Sequence, residues 1–540
     1  MTLTLDSECP TLGTFADLLH GLPSEYAHRT VAVDPHRSIT YGQLIAEARA
    51  FAAYLTHLGI RKGDSVALWL GNRVEWLIAQ FGVYESGGVL VPLNPQFKAA
   101  EVAHILRDSA ARLIVCEPTF LGRIDVRAIL NEACELVGPG VLPLGRIMLD
   151  AAGTDEWPFR FGDGPRENAV GRPHTDPDDV CQIMYTSGTT GTPKGVKLSS
   201  RGLLTTYAAV AGGLSLDGSA SWLLSLPLST MFGCSAIVIP TVLTGSRLVL
   251  HERFDVDEVL RAVECAGEGP ITHLAGSPTV YQMLLDAGLG SRSHHLRGGI
   301  IAGSVAAPEV LRTLIEDVPI PSLVNMFGQT EGCGTACMTV PADPILKRLS
   351  TVGRPLPHVE MRIRSVDGAN WVQVGEVGEI CGRGLRPGLH NLVGYTQPET
   401  TSAVDADGWL HYGDLGSIDS DGYVSVGRGR LKDMYVSGGY NVYPPEVESI
   451  LLTHPRITQA AVIGVPDDRM GEVGVAWIVL AASDDDVTES DIHTWCARHL
   501  SHYKAPSHIN IVTTLPTTPS GKVRHTGLRA EWELQRGAAT

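Results

Sequence analysis

The chain has 540 residues, 44% of them hydrophobic and 19% charged, with a formal net charge of −17. That length calls for two or more domains with ample core, and the acidic balance disfavours a general nucleic-acid or anionic-membrane partner while leaving room for a basic pocket around one nucleotide. Residues 1–15 carry Asp6 and Glu8 without a basic start or an apolar run, and the apolar region 222–250 is broken by Pro227 and Pro240, short of the ~20 uninterrupted apolar residues of a spanning helix; the reading is a soluble, cytoplasmic protein.

From the N-terminus, residues 41–58 place Leu44, Ala48, Phe51, Ala52 and Leu55 at helical spacing, the mark of a core-facing helix. Short apolar runs at 66–70, 88–92 and 113–116 read as strands, and they alternate with amphipathic stretches such as 99–108 and 256–263. That alternation predicts an α/β fold: a large N-terminal domain of layered α/β sheets, largely parallel. The charge-rich stretch 427–433 follows the Asp421-Gly422 turn and marks a change. Beyond it come an amphipathic segment at 445–452, strand-like runs at 460–465 and 473–480, a helix at 489–500 and a strand at 509–512. They suffice for a small α+β domain of about a hundred residues. Ten cysteines are scattered, and only Cys333 and Cys337 lie close; with no second pair or histidine nearby they read as reduced packing residues rather than metal ligands.

The segment Tyr185-Thr186-Ser187-Gly188-Thr189-Thr190-Gly191-Thr192-Pro193-Lys194-Gly195-Val196 is too polar for a core and follows the apolar run 180–184. Glycines permit close backbone approach, hydroxyls and Lys194 add donors, and the whole reads as a polyphosphate cradle. A Walker loop is excluded, because Gly188, Gly191 and Lys194 fall three apart and Gly195 follows the lysine. By composition alone a Ser/Thr/Gly-rich surface loop remains open.

Four further clusters interrupt the scaffold: Asn325-Met326-Phe327-Gly328-Gln329-Thr330-Glu331, Tyr412-Gly413-Asp414, Gly429-Arg430-Leu431-Lys432-Asp433 and Pro516-Thr517-Thr518-Pro519-Ser520-Gly521-Lys522. With the Thr186 loop, their order and identity resemble the adenylate-forming (ANL) superfamily of acyl-CoA and aryl-CoA ligases, peptide-synthetase adenylation domains and luciferases, from Thr40-Tyr41-Gly42 to Lys522. The resemblance implies ATP and Mg²⁺ as cofactors and coenzyme A as co-substrate. A carboxylate is a poor acyl donor, so it first attacks the α-phosphorus of ATP; two anions must meet, and oriented donors must neutralise the charge.

In the family's pattern the loop from Thr186 to Lys194 holds the β- and γ-phosphates, Glu331 binds Mg²⁺, Thr330 contacts the α-phosphate, and Phe327 stacks on adenine where most relatives have tyrosine. Asn325, Gly328 and Gln329 complete that cluster. Gly303-Ser304-Val305 matches the second adenine wall loosely, with Val305 where proline is usual. Asp414 accepts from both ribose hydroxyls, Arg430 reaches the ribose and phosphate, and Lys522 bridges the substrate carboxylate and the α-phosphate. Thr186, Glu331, Arg430 and Lys522 are therefore the expected catalytic set. Lys432 occupies the hinge, so that 1–430 form the ATP- and acid-binding domain and 431–540 a mobile domain; Ser437-Gly438-Gly439 would line a pantetheine tunnel, and Asn441 lies near the adenylate.

The acid pocket departs from the pattern. Relatives place Phe-His after Pro-Leu, where this chain has Ser229 and Thr230. The expectation is a hydrophobic, bulky or polycyclic acid in a slot lined by Thr230, Met231, Cys234, Ser277 and Gly328, with Met231 or Phe232 turning inward as the compensating alternative. No aspartate lies between Leu226 and Cys234 to counter a substrate ammonium. An AMP-forming acid:CoA ligase, a carrier-protein-loading acyl-AMP ligase and a nucleotide-binding regulator without turnover remain the competing readings. A homodimer is allowed by the resemblance.

Overall fold

The apolar runs assemble into two large sheets in the first part of the chain and a smaller set in the second. The computed structural model describes residues 13–138, 140, 142, 144–149, 173–186, 193–265, 269–368, 370–397, 403–430, 433–437, 440–467, 469–481, 487–500, 502–517 and 523–538, with the backbone alone at 428–430, 440–441 and 536–538. Two compact units emerge: Met1–Met361 with Gly382–Leu410, and Arg362–Cys381 with His411–Thr540. Compactness thus groups 411–430 with the C-terminal residues, whereas the expected boundary at Lys432 concerns a pivot, a separate property.

In the first unit a nine-stranded sheet runs in the order Arg354–Pro355, Cys337–Met338, Ser322–Phe327, Gly298–Ile301, His273–Gly276, Ser221–Leu224, Arg247–Leu250, Thr30–Val33, Ser38–Thr40. The six strands from Ser322–Phe327 to Thr30–Val33 are parallel and the edges antiparallel. A seven-stranded sheet runs Gly394–Tyr395, Lys194–Ser199, Val180–Thr186, Val89–Pro92, Ser65–Trp69, Leu113–Cys116, Arg146–Met148. Parallel strands covered on both faces must be apolar throughout, and Ser65–Trp69, Val89–Pro92 and Leu113–Cys116 are buried at every position.

Helix Val74–Glu85 is likewise buried along its whole length. Two of its polar residues bond outward: Gln80 Nε2 donates to the Cys234 carbonyl at 3.0 Å and Tyr84 Oη to Gln182 Oε1 at 2.7 Å. The helix therefore locks the segment after one sheet to a strand of the other. Its neighbour Tyr41–His57 packs Phe51 over Gly82, where a Cβ would lie 2.7 Å from the ring. The periodicity at 41–58 read this face correctly.

In the second unit, Leu410–Ile418 and Val424–Arg430 form a hairpin whose turn is set by Asp419 Oδ1, which accepts from the amides of Asp421 and Tyr423 at 2.9 Å, and by Gly422 at φ +83°. The charge-rich stretch that suggested a change of domain is thus partly a strand. A five-stranded sheet follows, with Ile457–Asp467 and Gly471–Leu480 antiparallel and His508–Val512 parallel to the latter. Helices Pro444–Leu452, Glu489–His499 and His525–Ala538 belong to this unit. Gly464 and Gly474 are cross-strand partners that make room for the Tyr435 side chain; a Cβ on Gly464 would lie 2.2 Å from its Cβ and one on Gly474 2.3 Å from its Oη. This is the small α+β domain the sequence predicts. Among the described residues no helix is long and apolar enough to cross a membrane.

Candidate active site

The hydroxyl-rich segment is the connection of a hairpin. Strands Val180–Thr186 and Lys194–Ser199 pair antiparallel, and the register sets Thr186 opposite Lys194. Ser187, Gly188, Thr189, Thr190 and Gly191 lie outside the described residues. The root of the hairpin is anchored from helix Ala99–Asp108. Asp108 accepts from Tyr185 Oη at 2.7 Å and Thr396 Oγ1 at 2.5 Å on one oxygen, and from Gln397 Nε2 at 2.8 Å on the other. Burial and the adjacent Asp108 carboxylate raise the Tyr185 phenol well above its ordinary range. His104 Nε2 stands 2.8 Å from the Pro193 carbonyl. Gly195 is required by the fit, since a Cβ there would meet Thr396 Cγ2 at 2.6 Å.

The second group of expected residues lies at the carboxyl ends of parallel strands, where α/β sheets bind ligands. His273–Gly276, Gly298–Ile301 and Ser322–Phe327 are in register through Gly276 and Ile301, and through Ile301 and Asn325. Ser277 follows the first strand and caps helix Pro278–Asp286, its Oγ accepting from the Val280 amide at 3.3 Å. Gly303 and Ser304 follow the second, Gly303 at φ +93°, with Val305 56% exposed. Asn325 is buried, and its amide donates to the Thr351 carbonyl at 3.2 Å; its side chain is engaged inside the sheet. Phe327 ends the third strand half-buried.

At Gly328 a Cβ would lie 2.5 Å from the Gly334 carbonyl oxygen and 2.7 Å from Thr335 Cα. Gln329 then accepts the amides of Gly332 and Gly334 at 3.0 Å each, closing the turn Thr330–Gly332 that presents Glu331. Tyr395 Oη donates to Glu331 Oε1 at 3.2 Å, and the Glu331 carbonyl accepts the Leu392 amide at 2.8 Å. Tyr395 lies on the edge strand Gly394–Tyr395, opposite Val196. The structure thus brings the expected metal carboxylate to the strand beside the hydroxyl-rich hairpin.

The expected acid slot follows strand Ser221–Leu224. Thr230 is a helix cap: its Oγ1 accepts from the Gly233 amide at 3.1 Å and donates to the Pro227 carbonyl at 2.8 Å. Met231 faces position 334, where a Cβ would lie 3.1 Å from its Cε. Cys234 is completely buried, with Gln182 Nε2 and Ser235 Oγ both 3.5 Å from Sγ, and burial pushes its thiol up to about 11. Ser229 is buried, and its hydroxyl has no hydrogen-bond partner among the described residues. The described cysteines are free, and all but Cys134 and Cys265 are buried.

In the second unit Asp414 and Arg430 are cross-strand partners. Asn441 pairs with Val436 and Ser437 with both Tyr440 and Gly471; Ser437 is buried. The bridge Thr517 to Val523 and the Arg524 amide bond to the Pro516 carbonyl at 2.8 Å close the base of the segment carrying Lys522. Lys432, Gly438, Gly439 and Lys522 lie outside the described residues. Glu379, Cys381 and His411 place their donor atoms within 4.8 Å of one another. His411 meets Glu379 at 2.9 Å and Cys381 Sγ at 3.6 Å through Nδ1, and Arg364 at 3.3 Å through Nε2, so hydrogen bonds already join the three.

Sequence reasoning missed Asp108 and Tyr395. Each is an ordinary residue in its local context, and only the pairing of distant segments gives it a partner. Comparison with known proteins identifies the family. The family described as "AMP-binding enzyme" matches residues 23–391, and "AMP-binding enzyme C-terminal domain" matches 446–522. A Rhodococcus jostii protein named 3-[(3aS,4S,7aS)-7a-methyl-1,5-dioxo-octahydro-1H-inden-4-yl]propanoyl:CoA ligase is 34% identical over 97% of this chain and 99% of its own. The mitochondrial medium-chain acyl-CoA ligase ACSF2 of Rattus norvegicus is 31% identical over 96% and 88%. The crystal structure of ATP-bound MatB from Rhodopseudomonas palustris superposes with a TM-score of 0.84 at 27% identity, covering 96% of this chain and 98% of that one.

Proposed function

Because the chain belongs to the AMP-binding enzyme family, and with its acyl-CoA ligase relatives is an adenylate-forming ligase of carbon–sulfur bonds, we propose that it activates a hydrophobic, bulky or polycyclic carboxylic acid with ATP and transfers the acyl group to coenzyme A. The observation that carries the reading is the meeting of Glu331 with the edge strand of the Thr186–Lys194 hairpin. A phosphate cradle and a hard-cation carboxylate on one sheet edge are what two approaching anions require.

In the first step a carboxylate oxygen bonds to the α-phosphorus and pyrophosphate leaves. The hairpin residues Thr186 to Lys194 hold the β- and γ-phosphates, and Thr330 donates to the α-phosphate. Glu331 fits Mg²⁺, since it offers hard oxygens at a half-exposed position with Oε1 already oriented; when bound, the ion supplies charge neutralisation across the phosphates. Phe327 and the Gly303-Ser304-Val305 segment flank adenine, and Asp414 with Arg430 serves the ribose, consistent with their cross-strand register. Lys522, on its base-closed segment, bridges the carboxylate and the α-phosphate. In the second step residues 431–540 pivot at Lys432, Ser437-Gly438-Gly439 admit the pantetheine arm, the thiol sulfur bonds to the acyl carbon, and AMP leaves carrying the carboxylate oxygen.

The acid is inferred from two supports. Ser229 and Thr230 stand where bulkier rings are usual, and a relative matched over its full length bears an octahydro-indenyl propanoyl group in its name. A panel of carboxylic acids, scored by ATP-dependent pyrophosphate release and by mass of the CoA thioester, tests both levels. Bulky or polycyclic acids should lead the panel. Acetate leading it would remove the substrate class, transfer to a holo-carrier protein in place of free CoA would change the acceptor, and silence across the panel would remove the activity.

A further inference from the structure

Two interactions of the Gly394–Gln397 segment point in opposite directions. Tyr395 Oη donates to Glu331 Oε1 at 3.2 Å, while the next residue, Thr396, donates Oγ1 to Asp108 at 2.5 Å and its backbone amide to the Gly195 carbonyl at 2.8 Å. Asp108 in turn holds Tyr185, the residue immediately before Thr186. Gln397 adds a third donor to that carboxylate. Three consecutive residues, Tyr395 on the edge strand and Thr396 and Gln397 just past it, therefore join the carboxylate given to the metal to the root of the hairpin given to the phosphates.

We propose that this segment is a brace: Tyr395 is a positioning residue that fixes the rotamer of Glu331 for the divalent cation, and Asp108 is its counterpart that fixes the hairpin for the nucleotide. The inference rests on the roles assigned to Glu331 and the hairpin under the proposed function. A glutamate side chain has three rotatable bonds, and one donor on Oε1 leaves Oε2 directed for a ligand. A hydrogen bond to an ionised carboxylate is among the stronger kinds. Asp108 accepts from three donors, on Tyr185, Thr396 and Gln397, and so couples the hairpin root to the segment after Tyr395.

The test is Tyr395→Phe, titrated with Mg²⁺ at saturating ATP and acid, with pyrophosphate release as the signal and thermal melting as a check on folding. The expected result is an apparent Mg²⁺ half-saturation raised about three- to tenfold, as loss of one such bond at a half-exposed site allows, with the rate recovering at high Mg²⁺. An unchanged half-saturation, with or without a lower melting temperature, overturns the metal half of the brace. Glu331→Gln is run beside it. If that variant keeps the wild-type rate and Mg²⁺ response, the role of Glu331 falls and the proposal with it; if it is crippled while Tyr395→Phe is normal, only the proposal falls. For the other half, Asp108→Asn and Tyr185→Phe should each raise the KM for ATP about two- to fivefold while leaving the Mg²⁺ half-saturation at its wild-type value. An unchanged KM in both variants overturns it.

Discussion

Gly328→Ala is the perturbation whose consequence the structure specifies most fully. The new methyl carbon would sit 2.5 Å from the Gly334 carbonyl oxygen, 2.7 Å from Thr335 Cα and 2.9 Å from the Ala336 nitrogen. All three are backbone atoms, so no side-chain rotation relieves the contact. Restoring ordinary separations of about 3.5 Å moves the 328–331 segment or the 334–336 segment by roughly 1 Å. Overpacking of this kind costs about 1–3 kcal/mol, a loss of only a few degrees in melting temperature for a unit of this size. The same displacement falls on the turn carrying Thr330 and Glu331. A misplacement of about 1 Å in positioning groups can cost on the order of a hundredfold, so kcat/KM for adenylation should drop about ten- to a hundredfold, a larger effect than the stability change conveys. The assay is pyrophosphate release at sub-saturating ATP beside a melting curve. Wild-type kcat/KM in a folded Gly328→Ala protein would refute the claim that this turn sets the site.

Lys522→Ala should abolish adenylate formation, about a hundredfold or more in rate, while sparing thioester formation from supplied acyl-adenylate; equal loss of both half-reactions would contradict its role. Gly439→Leu should block thioester formation and leave pyrophosphate release, and a mutant with both intact would remove the tunnel. Stability should fall in mild acid. Burial holds His358 and His273 down to about 4 and His390 to about 3, against an ordinary 6.5, the last with a further push from His358. The unfolded chain therefore binds more protons below about pH 6.5, and stability is full above that value and lost as pH falls toward 4, on the order of 2–3 kcal/mol per buried ring. Denaturant midpoints measured from pH 7 to pH 5 should decline, and His358→Gln should flatten the decline; a midpoint independent of pH over that range would show that these rings do not titrate on unfolding.

Much of the architecture was legible because its signals are local. Residues 99–108 alternate as a helix face and form the helix Ala99–Asp108, and 113–116 form the strand Leu113–Cys116. The charged run at 427–433 misled in part, because hairpin pairing overrode its loop-like composition and carried the strand Val424–Arg430 through it. At the hydroxyl-rich segment the sequence marked the leading strand, which pairs with the following one to set Thr186 opposite Lys194. What was hidden depends on long-range pairing: Asp108 lies 77 residues from Tyr185 and 288 from Thr396, and Glu331 lies 64 from Tyr395. Nor could composition assign Cys234, which looks like a slot residue and is buried against Gln182, or Thr230, whose hydroxyl is spent capping a helix.

The route of the substrate's own oxygen tests the account most directly. With a carboxylic acid labelled with oxygen-18 in its carboxylate, ATP and CoA, attack on the α-phosphorus followed by thiol displacement must leave one labelled oxygen in AMP for each thioester formed. Label found instead in orthophosphate beside ADP, or AMP recovered without label, would contradict adenylate formation as the step this site performs.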